Sequence, residues 1–166
     1  MNIYPKFYCD KITDISLDFL KENNIKALIL DVDNTLIDIN RIMVDGLVEW
    51  HKKMVSGGIK AIILSNSNKI DKIEQVAKAL NIEYLYLGLK PSKLGFKKAI
   101  SKLEIEPENI AAIGDQIFTD VIGANRCGIF SILVKPISKQ DLFLTKWKRP
   151  LEQKIINNYL NKLEKN

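Results

Sequence analysis

Cysteine, histidine and long apolar stretches are all scarce in this chain. Its 166 residues include two cysteines, Cys9 and Cys127, too few for a disulfide framework. The one histidine, His51, falls within a predicted helix beside Trp50 and is expected to take no part in catalysis. No apolar run approaches the roughly 18 residues of a membrane-spanning helix, and no signal-like apolar stretch follows Met1. These absences predict a soluble, reduced protein of the cytoplasm.

Hydrophobic residues, by contrast, are plentiful. They make up 46% of the chain, and a chain of about 150 residues buries roughly 68–70% of the surface of its unfolded state. No repeat, low-complexity stretch or long linker divides the sequence. We therefore expect a single domain over residues 1–166.

Positive charge is concentrated at the C-terminal end. Residues 1–134 hold 17 basic and 17 acidic side chains, whereas residues 135–166 hold 8 and 3, so the formal net charge of +5 falls in the last segment. From about 136 to 166 this segment interleaves aromatic and basic residues, among them Phe143, Lys146, Trp147, Lys148 and Arg149. Two interpretations remain open, ordinary solvated surface and a site for an anionic partner such as lipid headgroups or nucleic acid.

Strand and helix patterns alternate along the whole chain. Short apolar runs predict five buried strands, at 26–32, 59–64, 84–87, 110–113 and 130–134. Apolar residues at helical spacing predict helices at 16–23, 45–56, 69–80, 94–103, 121–127 and 151–163. The last helix is expected to turn Leu151, Ile155, Ile156, Tyr159 and Leu160 inward. This alternation is typical of an α/β fold, here a right-handed, doubly wound parallel sheet of five strands.

Polar residues follow four of these strands directly or closely. They are Asp31 and Asp33 after the first strand, Ser65 and Asn66 after the second, Lys90 after the third, and Asp115 with Asp120 after the fourth. Parallel strands end at one edge of a sheet, where open α/β folds bind their ligands. An acid cluster, a hydroxyl group and a lysine therefore converge in one crevice, which predicts a site for a divalent cation and a phosphate.

Each of these side chains has a plausible chemical role. A carboxylate that attacks a phosphate dianion is repelled by it, so a hard cation such as Mg²⁺ is needed, with Asp31 and Asp115 as ligands. The Ser65 hydroxyl and the Lys90 ammonium can bind the phosphoryl oxygens. Asp33 can protonate the leaving oxygen and then deprotonate water. Lys93 competes with Lys90 for the phosphate, but the proline after Lys90 favours an extended backbone at the strand end and so favours Lys90.

The four segments resemble a known set of motifs. The sequences DVDNTL at 31–36, SN at 65–66, KP at 90–91 and GDQIFTD at 114–120 resemble the motifs of the haloacid dehalogenase-like (HAD) superfamily, in the same order. From about Tyr4 to Tyr159 the chain is similar to the YqeG-like phosphatases of subclass IIIA and to the phosphatidylglycerophosphate phosphatases of bacteria and mitochondria.

The resemblance implies an HAD-like, Rossmann-like fold and a role for each residue. Asp31 is then the nucleophile that accepts the phosphoryl group, and Asp33 is the acid/base and lends its backbone carbonyl to Mg²⁺. Asp115 is a metal ligand, while Asp120 either supports the site or ligates directly. The resemblance makes Ser65 and Lys90 the residues that bind the phosphate. Asn66 is a further candidate for phosphate binding, although Asn66 and Asn34 could instead cap or join the loops.

The spacing of the motifs also bears on the substrate. Between Asp33 and Ser65 lie 31 residues, and between Ser65 and Lys90 lie 24, which leaves no room for the cap domain that covers many HAD active sites. An open site favours a bulky substrate, and a lipid phosphomonoester, phosphatidylglycerophosphate, is the favoured one, with residues 136–150 as a contact to the membrane.

Other functions remain open at this point. A soluble sugar phosphate, a nucleotide or a phosphoprotein would use the same chemistry. A phosphoacceptor signalling module would share the aspartates and the lysine, but it has no use for the acid/base Asp33. A nucleic-acid-binding protein would use the basic segment and is the less favoured hypothesis. A homo-oligomer is also compatible with the sequence.

Overall fold

The computed structural model of the protein describes residues 2–138 and 149–163, and within them six strands form one parallel sheet. The strands are β1 (Phe7–Cys9), β2 (Ala27–Leu30), β3 (Lys60–Leu64), β4 (Glu83–Leu85), β5 (Ile110–Gly114) and β6 (Phe130–Val134). Their order across the sheet is β1-β6-β5-β2-β3-β4, so β2 lies at the centre between β5 and β3. The predicted α/β fold with a parallel sheet is confirmed.

Six α-helices connect and flank these strands. They are α1 (Leu17–Glu22), α2 (Leu47–Ser56), α3 (Ile70–Leu80), α4 (Lys93–Leu103), α5 (Ile122–Arg126) and α6 (Arg149–Leu163). A π-helical turn at Ile117–Val121 stands between β5 and α5. None of the helices formed by residues 2–138 and 149–163 combines the length and the apolar character needed to cross a membrane.

The sheet is buried on both faces because alternate residues of each strand point to opposite sides. On one face Leu28 and Leu30 of β2 join a cluster with residues of α2 and α3, and on the other Ala27 and Ile29 pack with residues of α4 and α5. Every residue of β2 is buried. Strands buried on both faces read as continuous apolar runs, which explains why this strand is visible in the sequence.

The register of the central strands brings their ends level. Leu30, the last residue of β2, pairs with Ile63 of β3 and with Ile113 of β5. The backbone N–H of Asp31 then donates to the carbonyl of Ile113 at 3.0 Å. Residues that follow β2, β3 and β5 therefore emerge at neighbouring points along one edge of the sheet.

The prediction of five strands was wrong, because the described residues form a sixth strand, β1, at one edge of the sheet. Residues Phe7–Cys9 pair in parallel with β6, with Phe7 opposite Ile132. This strand has three half-buried residues, too few to show a periodic pattern in the sequence. The Phe7 ring packs on the Phe19 ring of α1, with 4.3 Å between the ring centroids. Pairing with β6 and this aromatic contact thus place a strand that the local sequence pattern does not reveal.

The C-terminal helix docks as predicted except at its first turn. Ile155 and Ile156 pack against a cluster formed by the π-helical turn and β6. Leu151, expected to point inward, is 52% exposed, and the neighbouring Glu152 is buried instead. The Glu152 carboxylate accepts a hydrogen bond from the backbone N–H of Phe118 at 3.1 Å. A carboxylate at this position satisfies a donor of the π-helical turn, which a leucine could not do.

Candidate active site

Asp31 lies buried at the centre of the strand-end edge. Its side chain is 10% exposed, and its two oxygens have different partners: Oδ1 is 2.6 Å from Nζ of Lys90, and Oδ2 accepts a hydrogen bond from the Thr35 hydroxyl at 3.4 Å. Burial raises the pKa of Asp31 to about 7, while the Lys90 charge opposes that rise and Asp120 adds to it. A cation beside this predicted nucleophile favours its ionised form.

Lys90 supplies one such cation. Its Nζ lies 2.6 Å from an oxygen of Asp31 and 2.6 Å from an oxygen of Asp120, and its side chain is 4% exposed. Burial alone lowers the pKa of a lysine, but the carboxylates of Asp120 and Asp31 outweigh it and raise the pKa of Lys90 above its ordinary value. Lys93, the competing lysine of the sequence, is exposed at the start of α4.

Asn66 holds the loop that carries Lys90. Its side-chain Oδ1 accepts from the backbone N–H of Lys90 at 2.7 Å, and its Nδ2 donates to the Lys90 carbonyl at 2.9 Å. Both ends of the amide therefore join the loop after β3 to the loop after β4. Binding of phosphate by Asn66 stays a prediction, since its contacts in the structure are to the lysine backbone.

Ser65 begins the same loop, directly after β3. It is buried, and its Oγ accepts from the backbone N–H of Ser67 at 3.2 Å, so the hydroxyl hydrogen remains to be donated to another group. The Ser65 carbonyl accepts from the N–H of Gly88 at 2.9 Å. The loop after β3 is thus tied to the lysine loop at Ser65 as well as at Asn66.

Three buried carboxylates meet beside Lys90. Asp31, Asp115 and Asp120 each offer an oxygen, and these oxygens lie within 4.8 Å of one another. An all-oxygen donor set of carboxylates suits a hard divalent cation such as Mg²⁺. Gly114 leaves room for the Asp120 side chain, because a Cβ at position 114 would lie 2.3 Å from the Asp120 Cγ. The residues present therefore fit a metal site. Direct ligation by Asp120 stays a prediction, since its oxygens accept hydrogen bonds from Lys90, Gln116 and Thr119.

Asp33 is not one of the clustered carboxylates. Its side chain is 27% exposed and forms an ion pair with the ammonium of Lys72, a buried residue of α3. The loop that carries Asp33 is pinned by backbone hydrogen bonds from Thr35, Leu36 and Ile37 to the carbonyl of Val32. The two aspartates of one strand end thus occupy different settings. Asp31 is buried beside one lysine and two carboxylates, whereas Asp33 is partly exposed.

Two residues of the site were missed in the sequence. Thr35 belongs to the first motif but received no role, and its hydroxyl contacts Asp31. Lys72 lies 39 positions from Asp33, so no local pattern connects them. The sequence feature that could have revealed Lys72 is its place on the buried face of α3. It lies one residue before Ile73 and one helical turn before Val76. A lysine on an apolar face needs a partner, and that partner is Asp33.

The sequence matches a known protein family and two phosphatases of other organisms. The family described as mitochondrial PGP phosphatase matches residues 1–137. The chain is 36% identical over 154 residues to the probable phosphatase YqeG of Bacillus subtilis, covering 92% of this chain and 89% of that protein. It is 27% identical to phosphatidylglycerophosphate phosphatase 1 of Arabidopsis thaliana, covering 96% of this chain and 49% of that protein.

A solved structure agrees with the fold. The cobalt-bound deoxy-D-mannose-octulosonate 8-phosphate phosphatase of Haemophilus influenzae has a TM-score of 0.53 at 21% identity, covering 70% of this chain and 81% of that one. Such a likeness supports the fold, while the family match and the Bacillus relative extend over most of the sequence. The chain therefore belongs to the mitochondrial PGP phosphatase family and is a phosphatase of the HAD type.

Proposed function

We propose that the protein is a Mg²⁺-dependent phosphomonoester hydrolase that forms an aspartyl-phosphate on Asp31, and that its substrate is phosphatidylglycerophosphate. The observation that carries the chemistry is the setting of Asp31, buried between the Lys90 ammonium and the carboxylates of Asp115 and Asp120. Mg²⁺ held by Asp31, Asp115 and the backbone carbonyl of Asp33, with Asp120 beside them, would offset the charge of the phosphate and of the attacking carboxylate.

The first half-reaction transfers the phosphoryl group to the enzyme. An Asp31 oxygen attacks phosphorus, the bond from phosphorus to the leaving oxygen breaks, and protonated Asp33 gives its proton to that oxygen. Lys90 and the Ser65 hydroxyl bind the phosphoryl oxygens while charge shifts among them. The products of this step are the free alcohol and phosphorylated Asp31.

The second half-reaction returns the enzyme to its starting state. The Asp33 carboxylate takes a proton from water, the water oxygen attacks phosphorus, and the bond to Asp31 breaks. Inorganic phosphate leaves, and Asp33 is again protonated. One residue thus serves as acid and then as base, which requires a carboxyl group that both substrate and water can reach. The partial exposure of Asp33 suits that requirement.

The proposed substrate rests on the relatives and on the openness of the site. One relative is named as a phosphatidylglycerophosphate phosphatase. Between Asp33 and Ser65 the chain forms a loop, α2 and β3, and between Ser65 and Lys90 it forms α3 and β4. A capless site of this kind leaves room for a headgroup at a lipid surface. A soluble sugar phosphate is the second candidate, supported by the similar fold of the Haemophilus octulosonate phosphatase.

The substrate proposal is tested by kinetics on purified protein. We expect kcat/KM for phosphatidylglycerophosphate in mixed micelles to exceed that for an octulosonate 8-phosphate, glycerol 3-phosphate and a nucleoside monophosphate by about a hundredfold or more, since binding energy from the remote parts of the true substrate lowers the barrier. A sugar phosphate turned over faster than the lipid would contradict the lipid substrate and favour the second candidate.

Removal of divalent metal should abolish activity reversibly. An excess of EDTA is expected to reduce hydrolysis of an aryl phosphate to background, and Mg²⁺ to restore it, because the Asp31 attack depends on charge neutralisation. Ca²⁺ should restore little, since its longer and looser coordination disturbs the in-line geometry. The circular dichroism spectrum should stay unchanged under EDTA, because the apolar core holds the fold. Full activity in excess chelator would contradict the metal site.

Membrane contact through residues 136–150 stays a prediction. Most of that segment, residues 139–148, lies outside the described residues. The concentration of basic and aromatic side chains there supports a peripheral contact with an anionic bilayer, at about 1 kcal/mol per basic residue near the surface. A cytoplasmic location with reversible attachment at the inner face of the membrane would follow from it. Assembly into a homo-oligomer stays a prediction.

A further inference from the structure

A small pocket lies beside the proposed acid/base residue, apart from the carboxylate cluster. It has a volume of about 100 Å³, and its charged lining residues are Asp33, Asp38, Arg41, Lys69 and Lys72. Of the site residues described above, Asp31, Lys90, Asp115 and Asp120 do not line it. Asp33 is the proposed donor of a proton to the leaving oxygen. The pocket that Asp33 lines is therefore on the side of the leaving alcohol.

The side chains that line this pocket carry one more positive than negative charge. Three cationic side chains and two carboxylates line it. Asp38 is committed to its own turn, where its Oδ1 accepts from the backbone N–H groups of Asn40 and Ile42 at 2.9 and 2.8 Å. Asp33 is paired with Lys72. Lys69 is exposed and takes part in none of the ion pairs formed within residues 2–138 and 149–163, which leaves its charge available to a ligand.

The pocket is built from two segments of the chain. One is the turn at 38–42, in which Arg41 adopts a left-handed backbone conformation with φ of 65°. The other is the start of α3, which follows Lys69 and carries Lys72 in its first turn. A guanidinium nitrogen of Arg41 lies 2.6 Å from Oδ2 of Asp71, the residue before Lys72. This ion pair, between side chains that are 43% and 65% exposed, links the turn to the helix in the structure.

We propose that Arg41, Lys69 and Lys72 form a subsite for a second anionic group, carried by the alcohol part of the substrate. The inference rests on the proposed function and narrows its substrate class to phosphomonoesters with a further negative charge on the leaving alcohol. Lysine has three N–H donors, so Lys72 can keep its contact with Asp33 and still donate to this group. A phosphodiester and a carboxylate share the required chemistry, and they would come from a glycerophospholipid and from a sugar acid, respectively.

The test compares soluble esters with and without a second negative charge on the leaving alcohol. Deacylated phosphatidylglycerophosphate adds a phosphodiester to glycerol 3-phosphate, and 3-phosphoglycerate replaces an alcohol of glycerol 3-phosphate by a carboxylate. We expect the full-length enzyme to prefer at least one of the two charged esters over glycerol 3-phosphate by about tenfold or more in kcat/KM, the effect of one charge-assisted hydrogen bond.

Variants locate this preference in the pocket. Lys69→Gln and Arg41→Gln should each lower the preference about tenfold, chiefly through KM, whereas Lys69→Arg should retain most of it. Lys78→Gln is the matched control, because Lys78 is an exposed lysine of the same helix outside the pocket, and it should keep the wild-type preference. The preference is a ratio of the kcat/KM values for two substrates. A general loss of folded protein lowers both values equally and leaves the ratio unchanged.

The outcomes separate the subsite from the lipid substrate. A wild-type preference near one for both charged esters would overturn the subsite, and so would a preference that Lys69→Gln and Arg41→Gln leave unchanged. Preference for the carboxylate ester alone, lost in both variants, would support the subsite and assign a carboxylate to it. If the phosphodiester ester is preferred while the intact lipid is not hydrolysed, the subsite stands and the lipid substrate falls.

Discussion

Asp31→Asn is expected to reduce turnover of every phosphomonoester by about 10⁴-fold or more, the scale seen when an enzyme loses its nucleophile. The amide keeps the shape of the side chain, but it attacks phosphorus poorly and is a weaker ligand for Mg²⁺. Lys90 loses one of its two carboxylate partners and keeps the other, Asp120. Steady-state assays with an aryl phosphate under saturating Mg²⁺ measure the effect.

The fold should survive this change. Asp31 is buried at a cost that raises its pKa to about 7, so replacing it by a neutral side chain of the same size removes a charge that the interior disfavours. Thermal unfolding of Asp31→Asn should thus resemble that of the wild type. Asp45→Asn, at an exposed position, is the control and should retain full activity. Activity of Asp31→Asn within tenfold of the wild type would exclude nucleophilic attack by this residue.

Asp33→Asn should slow both half-reactions, but to an extent that depends on the leaving group. An alkyl phosphate requires the proton of Asp33, and general acid catalysis contributes about 10²–10⁴-fold. An aryl phosphate has a leaving group that needs little protonation, so its first half-reaction should be nearly spared and only the attack of water slowed. Rapid-quench assays of Asp33→Asn should then show a burst of phenol followed by slow turnover.

The neighbouring carboxylate Asp38 provides the matched control for that variant. It lies in the same loop, outside the buried cluster, and its contacts are to Asn40 and Ile42 of its own turn. Asp38 also lines the proposed subsite, so Asp38→Asn can change the preference among charged esters. With an aryl phosphate it should show neither the burst nor the dependence on the leaving group. Equal slowing of alkyl and aryl phosphates by Asp33→Asn would argue that Asp33 has a structural role, in holding Lys72 for example, and would contradict its role as acid and base.

The sequence was sufficient to predict the parts of the site that depend on strand ends. Asp31 and Asp115 each follow a strand that is buried on both faces, and such strands stand out as apolar runs. Once the strands are known to be parallel, their ends must meet at one edge, as the pairing of Leu30 with Ile113 illustrates. Lys90 came from the same reasoning, applied to the loop after the third predicted strand.

Contacts between distant segments could not be predicted in this way. Strand β1 is defined by its pairing with β6, more than a hundred residues along the chain, and by one aromatic contact. Lys72 meets Asp33 only because α3 packs over the end of β2, and the position of a helix over a sheet depends on the packing of many side chains at once. At the start of α6, Glu152 is buried and Leu151 is exposed for a similar reason. The Glu152 carboxylate accepts a hydrogen bond from one backbone N–H of a distant turn.

The most direct test of the account is to find the phosphoryl group on the protein. Asp33→Asn is mixed with an aryl phosphate and Mg²⁺, quenched in acid and treated with borohydride, which reduces an aspartyl-phosphate to homoserine. Mass spectrometry of the peptides should then find homoserine at position 31, with unmodified aspartate at 115 and 120. Homoserine in place of a different aspartate would contradict the proposed covalent mechanism. Unmodified Asp31 in a sample that has released a burst of phenol would contradict it as well.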